Sequence, residues 1–395
     1  MNDQSADTVG PIVPSAGKRG VSAALAHLAK TEALFFLALA VVLGFLVVGD
    51  AWLSDLSTPP VSMLAFIGLF VLILVASRAV VRHAENLSSY LGEPYGTLIL
   101  TLSVISVEIF TVVMVMLKGE NNPTLARDTM FSVVMIVFTG LLGLALLMGG
   151  LKHREQQYNL QGTNAFLSVT ITLAVLGLVM PNYTEAKAGR PVFALPLEVF
   201  LIVVAVGLYL LFLLIQTTRH RNYFVSSEGT ATDPGFKSAA SAQNGHSVLF
   251  HSAFLIGYLV LVIFLAEKLA TLLDLGLERR HAPPALGGLI VAILVLAPEG
   301  IAGIRAAMAN EMQRAVNILL GSALSTLALT IPAVLVVGLI TNRTVVLGVE
   351  GADQTMLLLA LLLSVVTFAS GRTNILQGAV HVILFFAFLM LILRT

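Results

Sequence analysis

Two stretches decide the fold: PYGTLILTLSVISVE at residues 94–108 and ALGGLIVAILVLAPE at residues 285–299. They superpose without a gap, so that Gly96 falls on Gly287, Leu98–Ile99 on Leu289–Ile290, and Glu108 on Glu299. Both apolar runs continue past their acid (TLILTLSVISVEIFTVVMVM, 97–116; GGLIVAILVLAPEGIAGI, 287–304). Each is about long enough to cross the ~30 Å hydrocarbon layer as a helix. An ionised carboxylate at mid-membrane costs at least about 2.5–3.5 kcal/mol, so such a group lines a polar cavity, pairs with a charge or keeps a proton. Neither acid has a basic partner on its own helix. Arg305, six residues past Glu299, is off the i,i+4 face.

The rest of the chain fits these two runs. Of 395 residues, 57% are hydrophobic and 11% charged, with a mean hydropathy of +0.94; a soluble domain carries about 25% charged residues. The 22 basic and 22 acidic residues balance, which leaves no basic face for nucleic acid. No cysteine is present, so thiolate metal sites and cysteine nucleophiles are excluded. The continuous runs also exclude a β-barrel, which reads as short alternating segments. The single tryptophan, Trp52, stands near a span end where an interfacial anchor sits.

The expected fold is an all-α polytopic membrane protein of about 11 transmembrane helices, at 33–53, 61–81, 96–117, 129–151, 165–181, 196–216, 250–267, 285–305, 314–341, 354–370 and 374–393. The polar stretch around Thr230, Asp233, Pro234 and Ser238 divides it. The resulting organisation is a tail (1–32), an extra first helix (33–53), a first five-helix repeat (54–216), a linker (217–249) and a second five-helix repeat (250–395). Each glutamate lies on the second helix of its five. Five crossings per unit make the second unit enter from the opposite side, an inverted repeat with its site at the midplane. With the N-terminus cytoplasmic and the C-terminus outside, the larger share of the 22 basic residues falls inside, including Lys152, Arg154, Arg219, Arg305 and Arg314.

The pseudo-two-fold axis is expected to bring Glu108 and Glu299 together. Two carboxylates in a dry setting resist double ionisation and hold protons or release them to a cation. The apolar helices around them offer only oxygen: Ser103, Ser106, Ser132, Thr139, Ser322, Ser325, Thr326 and carbonyls loosened near Pro298 and Gly300. All-oxygen donors suit calcium and disfavour zinc or copper. His381, the histidine clearly inside a span, reads as a packed core residue, and the loop Lys152–Glu155 as a charge anchor. Neither a histidine-rich zinc site nor a serine–histidine pair is visible within the spans, so an enzyme is not expected.

At these residues the chain resembles the calcium/proton exchanger family of the calcium/cation antiporter superfamily, in its bacterial ChaA-type branch. The resemblance rests on LGEPYGTLILTLSVISVEI (91–109), PEGIAGIRAAMANEMQRAVNILLGSALSTLALTIPAV (298–334), GRTNILQGAVHVILF (371–385) and the loop GGLKHREQQYNLQG (149–162). It implies an antiporter of the bacterial inner membrane that exports Ca2+ for H+ by alternating access. Glu108 and Glu299 would be the metal-binding acids, with Thr139, Ser322, Ser325 and Thr326 as hydroxyl positions on the following helices. Val104–Val107 stand where other branches carry asparagine and glycine before the acid, so Na+ or K+ exchange stays open. The expected partners are small cations, protons and the lipid bilayer, with no resident cofactor; a homo-oligomer stays open.

Overall fold

The computed structural model describes residues 31–48, 59–91, 95–118, 124–184, 194–224, 247–280, 282–283 and 285–394. Among them are eleven helices: α1 (Ala33–Val48), α2 (Pro59–Leu91), α3 (Tyr95–Lys118), α4 (Leu125–His153), α5 (Leu160–Tyr183), α6 (Leu195–Arg219), α7 (Val248–Arg280), α8 (Ala285–Met308), α9 (Met312–Thr341), α10 (Gly351–Thr367) and α11 (Ile375–Arg394). Eight are long and apolar enough to span a bilayer, while α1, α3 and α10 supply shorter apolar segments. Leu64, Val203, Leu249, Leu376 and Met390 are exposed on the outer helices, an apolar exterior that matches hydrocarbon rather than water. The chain is a multi-pass integral membrane protein. Trp52, most of the tail 1–32 and most of the linker 217–249 lie outside the described residues.

The two halves mirror each other in length. Helices α2 and α7 have 33 residues each, α3 and α8 have 24 each, and α4 and α9 have 29 and 30. Hydropathy placed the ends of α2 and α7 near 81 and 267. Both helices run on, because the charges that follow (Arg82, Glu85, Glu267, Lys268) end the apolar span without breaking the backbone ladder.

Helices α4 and α9 are the most buried of the long helices. Each is interrupted by a π-helical turn, Ile136–Leu141 in α4 and Thr326–Thr330 in α9. In α9 the cause is Pro332, which has no N–H for the carbonyl of Ala328 and crowds it, so the helix widens just before it. Pro181 follows the π turn Val175–Val179 of α5 in the same way. Pro298 behaves differently: α8 runs through it unbroken. The expected opened turn there is replaced by a continuous helix in which Leu294 has lost only its i+4 amide.

The molecule has two apolar cores. One joins α1, α2 and α7 through residues such as Ile73, Val80, Leu265 and Leu269, and takes in Val107 of α3 and Leu294 of α8; the other gathers most of α3 (Ile105, Val112, Met116), α4–α6 and α8–α11, and reaches Ala270 and Leu273 of α7. The extra helix is fastened where it begins. Buried Glu32, just before α1, accepts from Arg82 Nη2 (2.6 Å) and Tyr258 Oη (3.0 Å), and His83 and His251 meet through their Nδ1 atoms at 3.0 Å.

The loop expected to be a charge anchor instead closes the end of the helix that carries Glu299. Lys152 Nζ and His153 Nε2 reach Met308 O (both 2.9 Å), and Gln156 Nε2 donates to Ala307 O (2.8 Å), satisfying C-terminal carbonyls of α8. Its residues Glu155–Gln157 form β1, antiparallel to β2 (Arg372–Asn374), which ties the α4–α5 connection to the start of α11.

Glycine sets how closely α8 lies on α4. A Cβ on Gly288 would stand 2.6 Å from the carbonyl carbon of Asp128, whereas one on Gly287 would meet the tip of Leu277 at 3.1 Å. Gly288→Val therefore destabilises the protein by about 3 kcal/mol, the upper end of overpacking costs. Gly287→Ala is tolerated, because a side-chain tip yields where backbone does not. Thermal unfolding in detergent checks the difference.

Candidate cation site

Glu108 on α3 is 4% exposed, and Thr139, Thr326 and Thr330 are fully buried. The halves exchange partners: α3 of the first packs on the π turn of α9, and α8 of the second packs on the π turn of α4. A π turn leaves a backbone carbonyl short of its usual amide and widens the helix, features that recur at functional sites.

At the first acid, Thr330 Oγ1 donates to Glu108 Oε1 at 3.0 Å. Thr326 Oγ1 lies within reach of the same carboxyl and of Ser322 O (3.0 Å), so its one proton serves one acceptor at a time. Glu299 is an electrostatic neighbour of Glu108. Its Oε2 is buried without a hydrogen-bond partner among the described residues. A carboxylate oxygen left so requires a proton or a cation. Tyr209 of α6, also buried, is a further electrostatic neighbour of Glu108.

The other expected positions divide. Thr139 sits in the π turn against α8, its hydroxyl proton donated to Met135 O in its own helix, which leaves the oxygen lone pairs to face outward. Ser325 donates to Ser322 O (2.9 Å), so Ser322 takes part through its carbonyl. Ser106 is the clear departure. It is half-buried, donates to Leu102 O (2.6 Å), and stands two residues from Glu108, about 200° around the helix.

Thr330 and Tyr209 were missed in the sequence. For Thr330 the signal was present: the offset of 191 residues that pairs Glu108 with Glu299 also pairs Thr139 with Thr330. For Tyr209 no local signal exists, since α6 reaches the site only through the fold. Among the described residues no three His, Asp or Glu side chains gather to hold a metal; the candidate site consists of two carboxyls with hydroxyls on the helices packed against them.

The profile of the sodium/calcium exchanger protein family matches residues 61–218 and 250–394. The chain belongs to that family. Within it, the chain is 40% identical over 314 residues to the putative ionic transporter y4hA of Sinorhizobium fredii, covering 79% of this chain and 84% of the relative. It is 37% identical over 366 residues to the sodium-potassium/proton antiporter ChaA of Escherichia coli, covering 92% and 96%. Among solved structures, the Ca2+/H+ antiporter protein YfkE shares the exchanger fold at a TM-score of 0.66 and 20% identity, over 91% of this chain and 99% of that one. The protein is a cation/proton antiporter and not an enzyme.

Thr330→Val removes the donor to Glu108. It weakens apparent cation affinity roughly 10- to 100-fold, as expected for a hydrogen bond to a charged group, while Thr330→Ser retains most of it. Cation titration of proton flux in reconstituted vesicles separates the two.

Proposed function

We propose that the protein exports Ca2+ from the bacterial cytoplasm in exchange for protons, at a single site made by Glu108 and Glu299. The observation that carries this reading is a pair of acids at matching positions of the two halves, Glu108 buried and Glu299 half-buried, electrostatic neighbours, with Glu299 Oε2 enclosed and without a donor among the described residues. Two carboxylates neutralise a divalent ion, and the hydroxyls of Thr139, Thr326 and Thr330 add the hard oxygen ligands that calcium takes. When the cation leaves, protons must replace it, because a doubly ionised empty pair is too costly to carry across the dry barrier. That requirement couples the two flows.

Alternating access follows from the two cores. The α1–α2–α7 group packs on the acid-bearing helices, with Val107 and Leu294 in its core, and also reaches the other core through Ala270 and Leu273 of α7. Its sliding against the remaining bundle opens the site to one face and then the other. Moving a divalent ion out against roughly 100 mV costs about 4.6 kcal/mol. Two protons returning down that potential and one pH unit supply about 7.4 kcal/mol, enough to hold roughly a hundredfold calcium gradient.

A second reading, Na+ or K+ in place of Ca2+, is favoured by the 37% identity to an antiporter named for those ions. In that case one glutamate keeps its proton while the other binds the monovalent ion, so the same pair works at half the proton count.

Proteoliposomes with a pH-reporting dye decide between them. Calcium transport releases about two protons per ion, and a monovalent cation releases one. Glu108→Gln and Glu299→Gln, tested separately, each lower exchange about 100-fold or more, as breaking a buried charge pair does. Retention of half the wild-type rate by either variant would refute the shared site.

A further inference from the structure

His381 of α11 is fully buried among the helices that back the first π turn. Its Nδ1 lies 2.6 Å from Phe138 O, in the middle of that turn, and its Nε2 lies 2.9 Å from Thr367 Oγ1 at the end of α10. A carbonyl only accepts, so Nδ1 carries the proton and Nε2 accepts from the threonine; the neutral ring is satisfied on both sides. The backbone explains why Phe138 needs this donor. In a regular helix the N–H of Leu142 would bond Phe138 O, but here it bonds Val137 O, five residues back. The histidine occupies the carbonyl to which that amide would return if the turn relaxed to α geometry.

Relaxation would not be local. Exchanging a π turn for an α turn shifts the register of the helix around Thr139, and α8 with Glu299 rests on this turn. The opposite half-site has a different support: α6 backs the π turn of α9, and Thr330 holds Glu108 directly. Each half's last helix thus braces the other half's widened turn. In α11 the brace is a side chain on the backbone.

We propose that His381 is a positioning residue for transport, which holds the Ile136–Leu141 turn in its widened form through Phe138 and thereby sets the cation affinity of the Glu299 half of the site. This rests on the antiport reading above. It makes α11, which carries none of the acids, part of the apparatus that tunes them.

The test is cation-dependent proton flux in proteoliposomes, with rates normalised to folded protein by size-exclusion chromatography, for wild type, His381→Ala and His381→Asn. The alanine variant raises the KM for the transported cation about fivefold, the scale of one lost neutral hydrogen bond, with kcat within about twofold of wild type. Asparagine places an N–H donor near the position of Nδ1 and brings KM back to within about twofold of wild type. An alanine variant whose KM matches wild type, with only folded yield or melting temperature reduced, assigns His381 to packing and overturns the proposal. Equal KM increases in alanine and asparagine overturn it too, because the lost donor is then not the cause. A wild-type chain that moves no protons with calcium, sodium or potassium sinks this proposal and the antiport reading together, whereas the first two outcomes leave the antiport reading standing.

Discussion

A carboxylate inside hydrocarbon cannot remain charged and alone, and the architecture of this protein follows from that constraint. Glu108 is buried and Glu299 half-buried on helices that pack against α9 and α4, the most buried of the long helices. Glu108 meets Thr330 on the third helix of the opposite half, and the helix of Glu299 packs on the third helix of its opposite half. Neither half is a site by itself: the hydroxyl that bonds Glu108 comes from residue 330, 222 positions along the chain. The inverted second half thus supplies the partner of Glu108, which a single five-helix unit would lack.

The energetic support for the site is spread through close packing and backbone caps. Gly288 brings α8 onto Asp128, and Lys152, His153 and Gln156 take the carbonyls that end α8. Both fix the helix of Glu299 relative to α4. The acid side chain itself keeps an oxygen without a donor among the described residues. Donors close the end of the helix that carries the acid, while Glu299 Oε2 has none among the described residues, an arrangement that suits a group whose partner changes during each cycle.

Hydropathy and the ungapped repeat made the membrane class, the span order and the two acids legible in the sequence, because each depends on composition along a single helix. Other features depend on geometry that periodicity does not carry. The π turns add a residue to a helical turn, so the rotational position of Thr139 or Thr330 cannot be read by counting in steps of 3.6. The offset of 191 residues would have selected Thr330 over Ser322, since symmetry carries information that helical phase had lost. Ser106 was favoured by nearness in sequence, yet two residues place it on another face. The loop Lys152–Glu155 reads as an anchor because its charges are visible, while its part in closing α8 rests on carbonyls about 150 positions away. The clasp between Glu32, Arg82 and Tyr258 is equally invisible to a linear reading.

Helices α2 and α7 have a mechanical consequence. At 1.5 Å per residue their 33 residues extend about 50 Å, well beyond a hydrocarbon layer of about 30 Å. They run antiparallel, with His83 near the end of one beside His251 near the start of the other. The polar ends, Arg82 to Leu91 and Glu267 to Arg280, therefore overhang opposite faces of the bilayer. Such a pair has the geometry of a lever: a tilt of roughly 10° about the midplane would move each overhanging tip by several ångströms, in opposite directions. A contact on either tip from the water would therefore load both ends of the lever.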